Sequence, residues 1–194
     1  MTTSFKFCFK GGRQYVHGTD IVASLFKTMA DKSITQVDLK FNGIAKTQLD
    51  LIEGHDNEFA KVNIRWLEHG QEKQYQLVEN NKPIDCRYEY NEDVIIEKTK
   101  LDFKAKTIHL NESTGFTLSE NFVAMNKHLL QQLFPDEVGK WYFTRLEQTK
   151  LIDDDALINV KLIKNFNFRL TKSDILLNGE LIGSVYFTMV RGES

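Results

Sequence analysis

Residues 15–23 read Tyr-Val-His-Gly-Thr-Asp-Ile-Val-Ala, and residues 116–124 read Phe-Thr-Leu-Ser-Glu-Asn-Phe-Val-Ala. The two stretches lie 101 positions apart and align without a gap. Each opens a run of apolar residues with the spacing of an amphipathic helix, over residues 19–31 in the first case and 119–134 in the second. The pair therefore predicts two helices at equivalent positions of a duplicated chain.

Both predicted helices begin beside residue types that cap helices. Thr19 or Asp20 is suited to accept backbone N–H groups at the start of the first helix, and Ser119 at the start of the second. Pro135 follows the second helix, and proline cannot continue a helix because it lacks the backbone N–H. These residues set the predicted ends.

Strands account for most of the remaining chain. The sequence holds 14 phenylalanines and only 2 prolines, which suits long strands whose ladders proline would interrupt. Apolar and polar residues alternate with a period of two, which predicts strands with one buried face. The alternating segments are residues 5–10, 36–41, 61–66, 101–105 and 165–170.

The duplication extends beyond the helices. Val-Asn-Ile-Arg-Trp at 62–66 aligns with Phe-Asn-Phe-Arg-Leu at 166–170, and Gly70 aligns with Gly179 in a predicted hairpin turn. Asn178-Gly179 is typical of a type I′ turn. The sequence thus predicts a first half over residues 1–104 and a second over 105–194, each a strand, a helix and three or four antiparallel strands.

Composition excludes several classes of function. The chain has 194 residues and a formal charge of −2, so it has no overall field that would attract nucleic acid or an anionic membrane. No stretch approaches the roughly 20 apolar residues of a spanning helix, and residues 1–13 lack the apolar core of a signal peptide. Cys8 and Cys86 stand far apart, which indicates reduced packing residues. We therefore expect a soluble, cytoplasmic protein. Residues 80–92 are the most linker-like segment.

The order of elements resembles the hotdog superfamily, specifically its double-hotdog members, over nearly the whole chain. The resemblance implies an α+β fold, a double hotdog with two long antiparallel-sheet halves each wrapped around one central helix. The His-Phe-Pro-Gly run of hotdog dehydratases and the Asp-x-Asn-Pro-x-His pattern of hydratases are absent. A helix-grip or cystatin-like fold, with one helix against a sheet, is the alternative.

Polar chemistry is densest at residues 11–20, Gly-Gly-Arg-Gln-Tyr-Val-His-Gly-Thr-Asp, just before the first helix. A helix N-terminus stabilises negative charge that develops on a carbonyl oxygen. His17 titrates near neutral pH and can move a proton there. Arg13 suits a phosphate or carboxylate, and Gly18 permits close approach of a substrate.

The resemblance also implies a reaction. Hotdog dehydratases and thioesterases build their sites from two hotdog units, and the dehydratases use a histidine with an acidic residue of the neighbouring helix. The expected site therefore lies between the two halves near His17. Its predicted catalytic residues are His17, Asp20 and Glu120, and its predicted substrate-binding residues are Arg13, Tyr15, Gly18, Thr19 and Asn121. Capping is the competing explanation for Thr19 and Asp20, and a first-turn carboxylate for Glu120.

Three functional hypotheses follow. The first is a dehydratase- or thioesterase-like protein that processes acyl thioesters, with acyl-CoA or acyl carrier protein as partner. It needs no metal and no cofactor beyond the coenzyme A or phosphopantetheine that the substrate carries. The second is a non-catalytic module that binds an acyl chain, a carrier protein or a partner enzyme. The third is a structural subunit that pairs through an exposed sheet edge. A homodimer is compatible with each of them.

Overall fold

The computed structural model describes residues 2–30 and 33–191. The chain forms two compact units, Met1–Asn91 with Gln148–Leu151 as unit 1, and Glu92–Glu147 with Ile152–Ser194 as unit 2. Each unit contains short N-terminal strands, a long helix and an antiparallel sheet. The boundary at residues 104 and 105 concerns the sequence repeat and stays a prediction.

Unit 1 builds its sheet from alternating apolar residues. Within the described residues its sheet strands are β1 Thr3–Phe5, β3 Ile34–Phe41, β4 Leu49–Glu53, β5 Val62–Glu68 and β6 Gln71–Glu79. They are antiparallel in the spatial order β1-β4-β6-β5-β3. Val62, Ile64 and Trp66 are buried while Arg65 is exposed, as the alternation predicts for β5.

Helix α1 spans Gly18–Met29 and buries Ile21, Val22, Leu25 and Met29 on one side. The predicted helix over 19–31 is confirmed in its described part, and Asp31 lies outside the described residues. The N-cap position belongs to His17, whose side chain makes no cap hydrogen bond. The predicted capping by Thr19 or Asp20 is therefore wrong, because both residues lie inside the helix.

The predicted strand over residues 5–10 is interrupted. β1 ends at Phe5 and a separate strand, β2 Phe9–Lys10, follows. The alternation placed Lys10 on the polar face, yet its side chain is fully buried. Strand β2 pairs in parallel with β7 Arg87–Tyr88, and Tyr88 lies opposite Lys10 in this pair. The supposed linker over 80–92 therefore contains a strand.

A disulfide joins Cys8 and Cys86, whose Cα atoms lie 4.8 Å apart. The expectation of reduced cysteines is wrong. Each cysteine directly precedes one strand of the β2 and β7 pair, and the Phe9 N–H donates to the Cys86 carbonyl at 2.9 Å. The bond thus holds together two strands that are too short to pair stably alone.

Unit 2 has a longer sheet. Its strands within the described residues are β8 Thr99–Asp102, β9 Thr107–Leu110, β10 Lys140–Lys150 as far as Glu147, β11 Ile158–Phe166, β12 Leu170–Leu177 and β13 Glu180–Val190. Their spatial order is β10-β13-β12-β11-β9-β8. A short helix, α2 Asp93–Glu97, precedes β8, and the long helix α3 covers Leu118–Leu133. The helix predicted over 119–134 is confirmed within one residue at each end.

Two predicted strands of unit 2 are wrong in extent. β8 ends at Asp102, and Phe103 is 58% exposed in the turn before β9. Residues 167–169 form the turn between β11 and β12, where Asn167 and Phe168 have φ values of 51° and 62°. The alignment of residues 166–170 with β5 therefore pairs a hairpin turn and its flanking residues with a continuous strand, although both segments read as alternating sequence.

The two units repeat their element order but not their strand pairing. The third strand after α1, β5, pairs with the first, β3, whereas the third strand after α3, β12, pairs with the second, β11. A two-residue turn joins β5 to β6 in unit 1 and β12 to β13 in unit 2, with positive φ at His69-Gly70 and at Asn178-Gly179. The predicted hairpins are confirmed at both places. No helix of the described residues is long and apolar enough to cross a membrane.

Candidate functional site

A buried lysine organises the N-terminus of α1 in unit 1. The Lys10 ammonium donates to Thr19 Oγ1 and to Asp20 Oδ1, at 3.0 Å each. It also lies 4.2 Å from the centroid of the Tyr90 ring. A buried ammonium requires such partners, because burial of an unpaired charge costs several kcal/mol. We call Lys10, His17, Thr19, Asp20 and Tyr88 the helix-start cluster.

His17 is tied to the cluster through Thr19. The distance from His17 Nδ1 to Thr19 Oγ1 is 2.7 Å, and Thr19 itself is buried. The His17 carbonyl accepts the first helical hydrogen bonds, from the N–H groups of Asp20 and Ile21. Both the backbone and the ring of His17 are therefore fixed at the start of α1.

Asp20 supplies the carboxylate of the cluster. Its carboxylate accepts from Lys10, and the Tyr88 hydroxyl lies 2.8 Å from each of its two oxygens. Thr19 Oγ1 is 3.4 Å from Asp20 Oδ1. Tyr88 reaches Asp20 because β7 is paired with β2. Sequence analysis missed Tyr88 and the burial of Lys10, because a lysine inside an apolar alternation is a weak signal of burial.

The predicted substrate-binding residues of unit 1 lie around the cluster. Arg13 is half-buried, and its guanidinium carbon is 5.7 Å from the centroid of the Tyr90 ring. Tyr15 is half-buried two residues before His17, and Gly18 is the first residue of α1. The Arg87 guanidinium donates to the carbonyls of Gly11 and Arg13 and so holds this loop. The structure thus brings Arg13, Tyr15, Gly18 and Thr19 to the same end of α1.

The predicted site residues of unit 2 make contacts within their own loop and helix. Glu120 is the third residue of α3 and closes a capping box, since its Oε2 accepts from the Thr117 N–H at 2.8 Å. Asn121 accepts from the Thr114 hydroxyl at 2.7 Å through Oδ1. Both side chains are buried. Thr117, rather than Ser119, caps the helix, which corrects the prediction.

A further polar residue of α3 was missed by sequence analysis. Asn126 is fully buried, and neither of its amide atoms has a hydrogen-bond partner among the described residues. A buried amide without a partner is uncommon and requires a water or ligand to satisfy it. Asn126 lies at the same helical spacing as the apolar residues Phe122, Met125 and Leu129, and this position in the sequence could have predicted its burial.

His128 lies on α3 about two helical turns after Asn121. It is half-buried, and burial lowers the pKa of its imidazole while the Asp93 carboxylate opposes that shift. This shift favours the neutral imidazole. Within residues 2–30 and 33–191, no group of His, Cys, Asp and Glu side chains has the arrangement of a metal site.

Comparison with known proteins shows the fold. No family model matches the sequence, and no curated protein matches it significantly. The tesB protein of Mycobacterium avium subs paratuberculosis superposes with a TM-score of 0.54 at 10% identity, covering 97% of this chain and 92% of that chain. The dehydratase domain of PpsC from Mycobacterium tuberculosis, in complex with C12:1-CoA, gives 0.51 at 11% identity, covering 91% and 85%.

These matches confirm the predicted fold class. Both neighbours have hotdog folds and match nearly the whole of this chain, so the chain is an α+β double hotdog. The single-helix alternative is wrong, because each unit has its own long helix, α1 in unit 1 and α3 in unit 2.

Proposed function

We propose that this protein processes acyl thioesters, in the manner of a dehydratase or thioesterase, with His17 as the group that moves the proton. The observation that carries the proposal is the 2.7 Å contact of His17 Nδ1 with Thr19 Oγ1, which fixes the imidazole at the N-terminus of α1. The fold supports it, because one structure with the same fold is a dehydratase domain that holds an acyl-CoA.

The hydrogen bonds of the helix-start cluster indicate which ring nitrogen of His17 acts as the base. The Lys10 ammonium has no lone pair, so it donates to Thr19 Oγ1 at 3.0 Å. When His17 carries its proton on Nδ1, the ring also donates to Thr19, and the threonine proton turns toward Asp20 Oδ1. The lone pair is then on Nε2, which can remove the α-proton of an acyl thioester or activate water. These positions follow from the hydrogen-bond network.

The other residues of this end of α1 receive supporting roles in the proposal. Asp20 and Lys10 position Thr19 and thus the ring of His17, because the Asp20 carboxylate is already held by Lys10 and Tyr88. The positive end of the helix stabilises charge on the thioester carbonyl, with Gly18 leaving room for it. Arg13 and Tyr15 bind the coenzyme A or phosphopantetheine part of the substrate.

The proposal also includes two predicted site residues at the start of helix α3 in unit 2. Glu120 is the acid predicted to act with His17, and Asn121 is a predicted substrate-binding residue. Their present contacts, with Thr117 and Thr114, support a structural role as well. Acyl-CoA or an acyl carrier protein is the proposed partner, no further cofactor is proposed, and a homodimer stays a prediction.

Replacing His17 with alanine should lower turnover by about 100-fold or more, since general acid–base groups contribute about 10²–10⁴. The assays are hydration of crotonyl-CoA, dehydration of 3-hydroxybutyryl-CoA and hydrolysis of saturated acyl-CoA esters. His55→Ala is the matched control, because the His55 side chain is 69% exposed and pairs with Asp56 in a surface loop. Thr19→Val should lower kcat more than it changes KM, because it removes the ring's hydrogen-bond partner.

Two outcomes would contradict the proposal. Equal rates for wild type and His17→Ala would remove His17 from the reaction. Loss of activity in His55→Ala to the same extent would show that the effect is not local to α1. Thermal unfolding of each variant separates loss of function from loss of fold.

A binding module is the second candidate function. The Lys10 and Asp20 charges neutralise each other inside the cluster, and Thr19 is buried, which favours a rigid structure over an open reactive site. Native mass spectrometry of the purified protein for a retained acyl ligand distinguishes this candidate. A retained acyl ligand with no turnover of any thioester would favour the module.

A cytoplasmic location remains a prediction from the sequence. The Cys8–Cys86 disulfide counts against it, because disulfides persist mainly in oxidising compartments. The state of these two cysteines in the isolated protein therefore bears on where the protein works.

A further inference from the structure

Unit 1 contains a cavity of about 190 Å³ at the opposite end of α1 from His17. Leu25 and Met29, one helical turn apart, face it from the helix, and Leu51 and Trp66 face it from strands β4 and β5. These four side chains are buried. An apolar cavity of about 150 Å³ can hold a benzene ring, so this space accommodates a small aromatic molecule.

The opening of the cavity is polar. Thr3 of β1, Thr28 of α1 and Glu53 of β4 line it beside Tyr75 of β6, and Thr3, Thr28 and Glu53 are exposed. Glu53 and Tyr75 are directly opposed in the antiparallel register of β4 and β6, so they project from the same face of the sheet. The Trp66 ring stacks on Tyr75 with centroids 4.6 Å apart.

Charge selects among the ligands that would fit. Of the described residues, Glu53 is the only one with a formal charge that lines the cavity. Its carboxylate makes no ion pair or side-chain hydrogen bond with any residue in 2–30 or 33–191. Burial raises the pKa of Tyr75, and the carboxylates of Glu53 and Glu68 raise it further, so the opening carries negative potential.

We propose that this cavity binds a small organic cation with an apolar body, of the arylalkylamine class. The apolar body fills the space among Leu25, Met29 and Trp66, and the ammonium group lies at the opening beside Glu53. Ammonium groups are attracted both by carboxylates and by aromatic rings such as Tyr75. A free fatty acid is disfavoured, because its carboxylate would lie beside Glu53.

The cavity is separate from the proposed thioester site. Leu25 follows the N-cap residue His17 by eight positions, which corresponds to about 12 Å along a helix of 1.5 Å rise per residue. None of the residues of the helix-start cluster lines the cavity. Amine binding therefore stands or falls independently of activity at His17.

The test is a titration of the full chain with phenethylamine, monitored by calorimetry and by NMR of the Trp66 indole N–H. A Trp141→Phe variant identifies which of the two indole signals belongs to Trp66. We expect one saturable site and a shift of the Trp66 signal. Glu53→Gln should weaken binding by about tenfold. Glu72→Gln, an exposed residue of β6 outside the cavity, should leave the affinity unchanged.

The ligand 3-phenylpropionate supplies the opposite charge on a body of similar size. Its failure to bind would support the inference, and binding as tight as that of phenethylamine would overturn it. An affinity for phenethylamine that is the same in wild type and Glu53→Gln would overturn it as well. So would the absence of any Trp66 shift at millimolar phenethylamine.

Discussion

Replacing Asp20 with alanine should lower the free energy of unfolding by about 3–5 kcal/mol, the usual cost of removing one partner of a buried ion pair. The Lys10 ammonium is fully buried and lies 3.0 Å from Asp20 Oδ1. Without the carboxylate, the charge loses an anionic partner and keeps neutral ones such as Thr19 Oγ1 and the rings of Tyr88 and Tyr90. Urea denaturation followed by circular dichroism measures the change.

The control is Asp38→Ala. Asp38 pairs with Arg65 at 2.7 Å, but the Arg65 side chain is 55% exposed, so we expect a loss of less than about 1 kcal/mol. The double variant Lys10→Met with Asp20→Leu should regain much of the stability, because it removes both buried charges. A loss below about 1 kcal/mol in Asp20→Ala would show that Lys10 is not held as described.

Removing the disulfide should cost about 4 kcal/mol of unfolding free energy. The bond closes a loop with a sequence separation of 78, and long loops gain the most from cross-linking, which restricts the unfolded chain. The double variant Cys8→Ser with Cys86→Ser would also loosen β2 and β7, and with them the contact of Tyr88 with Asp20. Chemical denaturation of wild type with and without reductant gives the same comparison without mutation.

Thiol titration provides the check. Protein purified without reductant should show no reactive thiol after denaturation, and two after reduction, because the chain contains only these two cysteines. Two free thiols before reduction would contradict the disulfide and restore the interpretation drawn from the sequence. An unchanged unfolding curve after complete reduction would contradict its contribution to stability.

Sequence patterns correctly predicted those helices and strands that are determined by interactions between residues close together in the chain. Helix α3 was found within one residue at each end, because its apolar spacing and Pro135 act over a few residues. β5 was predicted by the alternation of Val62, Ile64 and Trp66, which fixes the buried face of a strand. The element order of the two units, and hence the double hotdog, followed from these patterns.

Features that depend on distant partners were not predictable from sequence. Lys10 falls on the polar side of the sequence alternation, like a surface residue. Its burial depends on Asp20, ten positions away, and on Tyr88 of the neighbouring strand β7. Cys8 and Cys86 carry no spacing signal, because β2 and β7 alone bring them together. The turn at Asn167 and Phe168 also reads as a strand, since only the pairing of β11 with β12 reveals it.

The candidate site was predicted in part. The polar residues at 11–20 correctly indicated the N-terminal end of α1, where His17, Thr19 and Asp20 contact one another. Spacing did not show that Thr19 would orient His17, because that depends on the position of Lys10. The cavity beside Glu53 left no mark in the sequence, since its walls come from α1 and four different strands.

The most direct measurement of the central claim is ¹⁵N NMR of the imidazole rings during titration with a thioether analogue of an acyl-CoA, which binds without reacting. We expect the signals of the His17 ring nitrogens to shift until the site is saturated, while those of His55 stay unchanged. We also expect Thr19→Val to change the His17 signals of the free protein. Bound analogue with unchanged His17 signals would contradict the claim that His17 acts on the thioester.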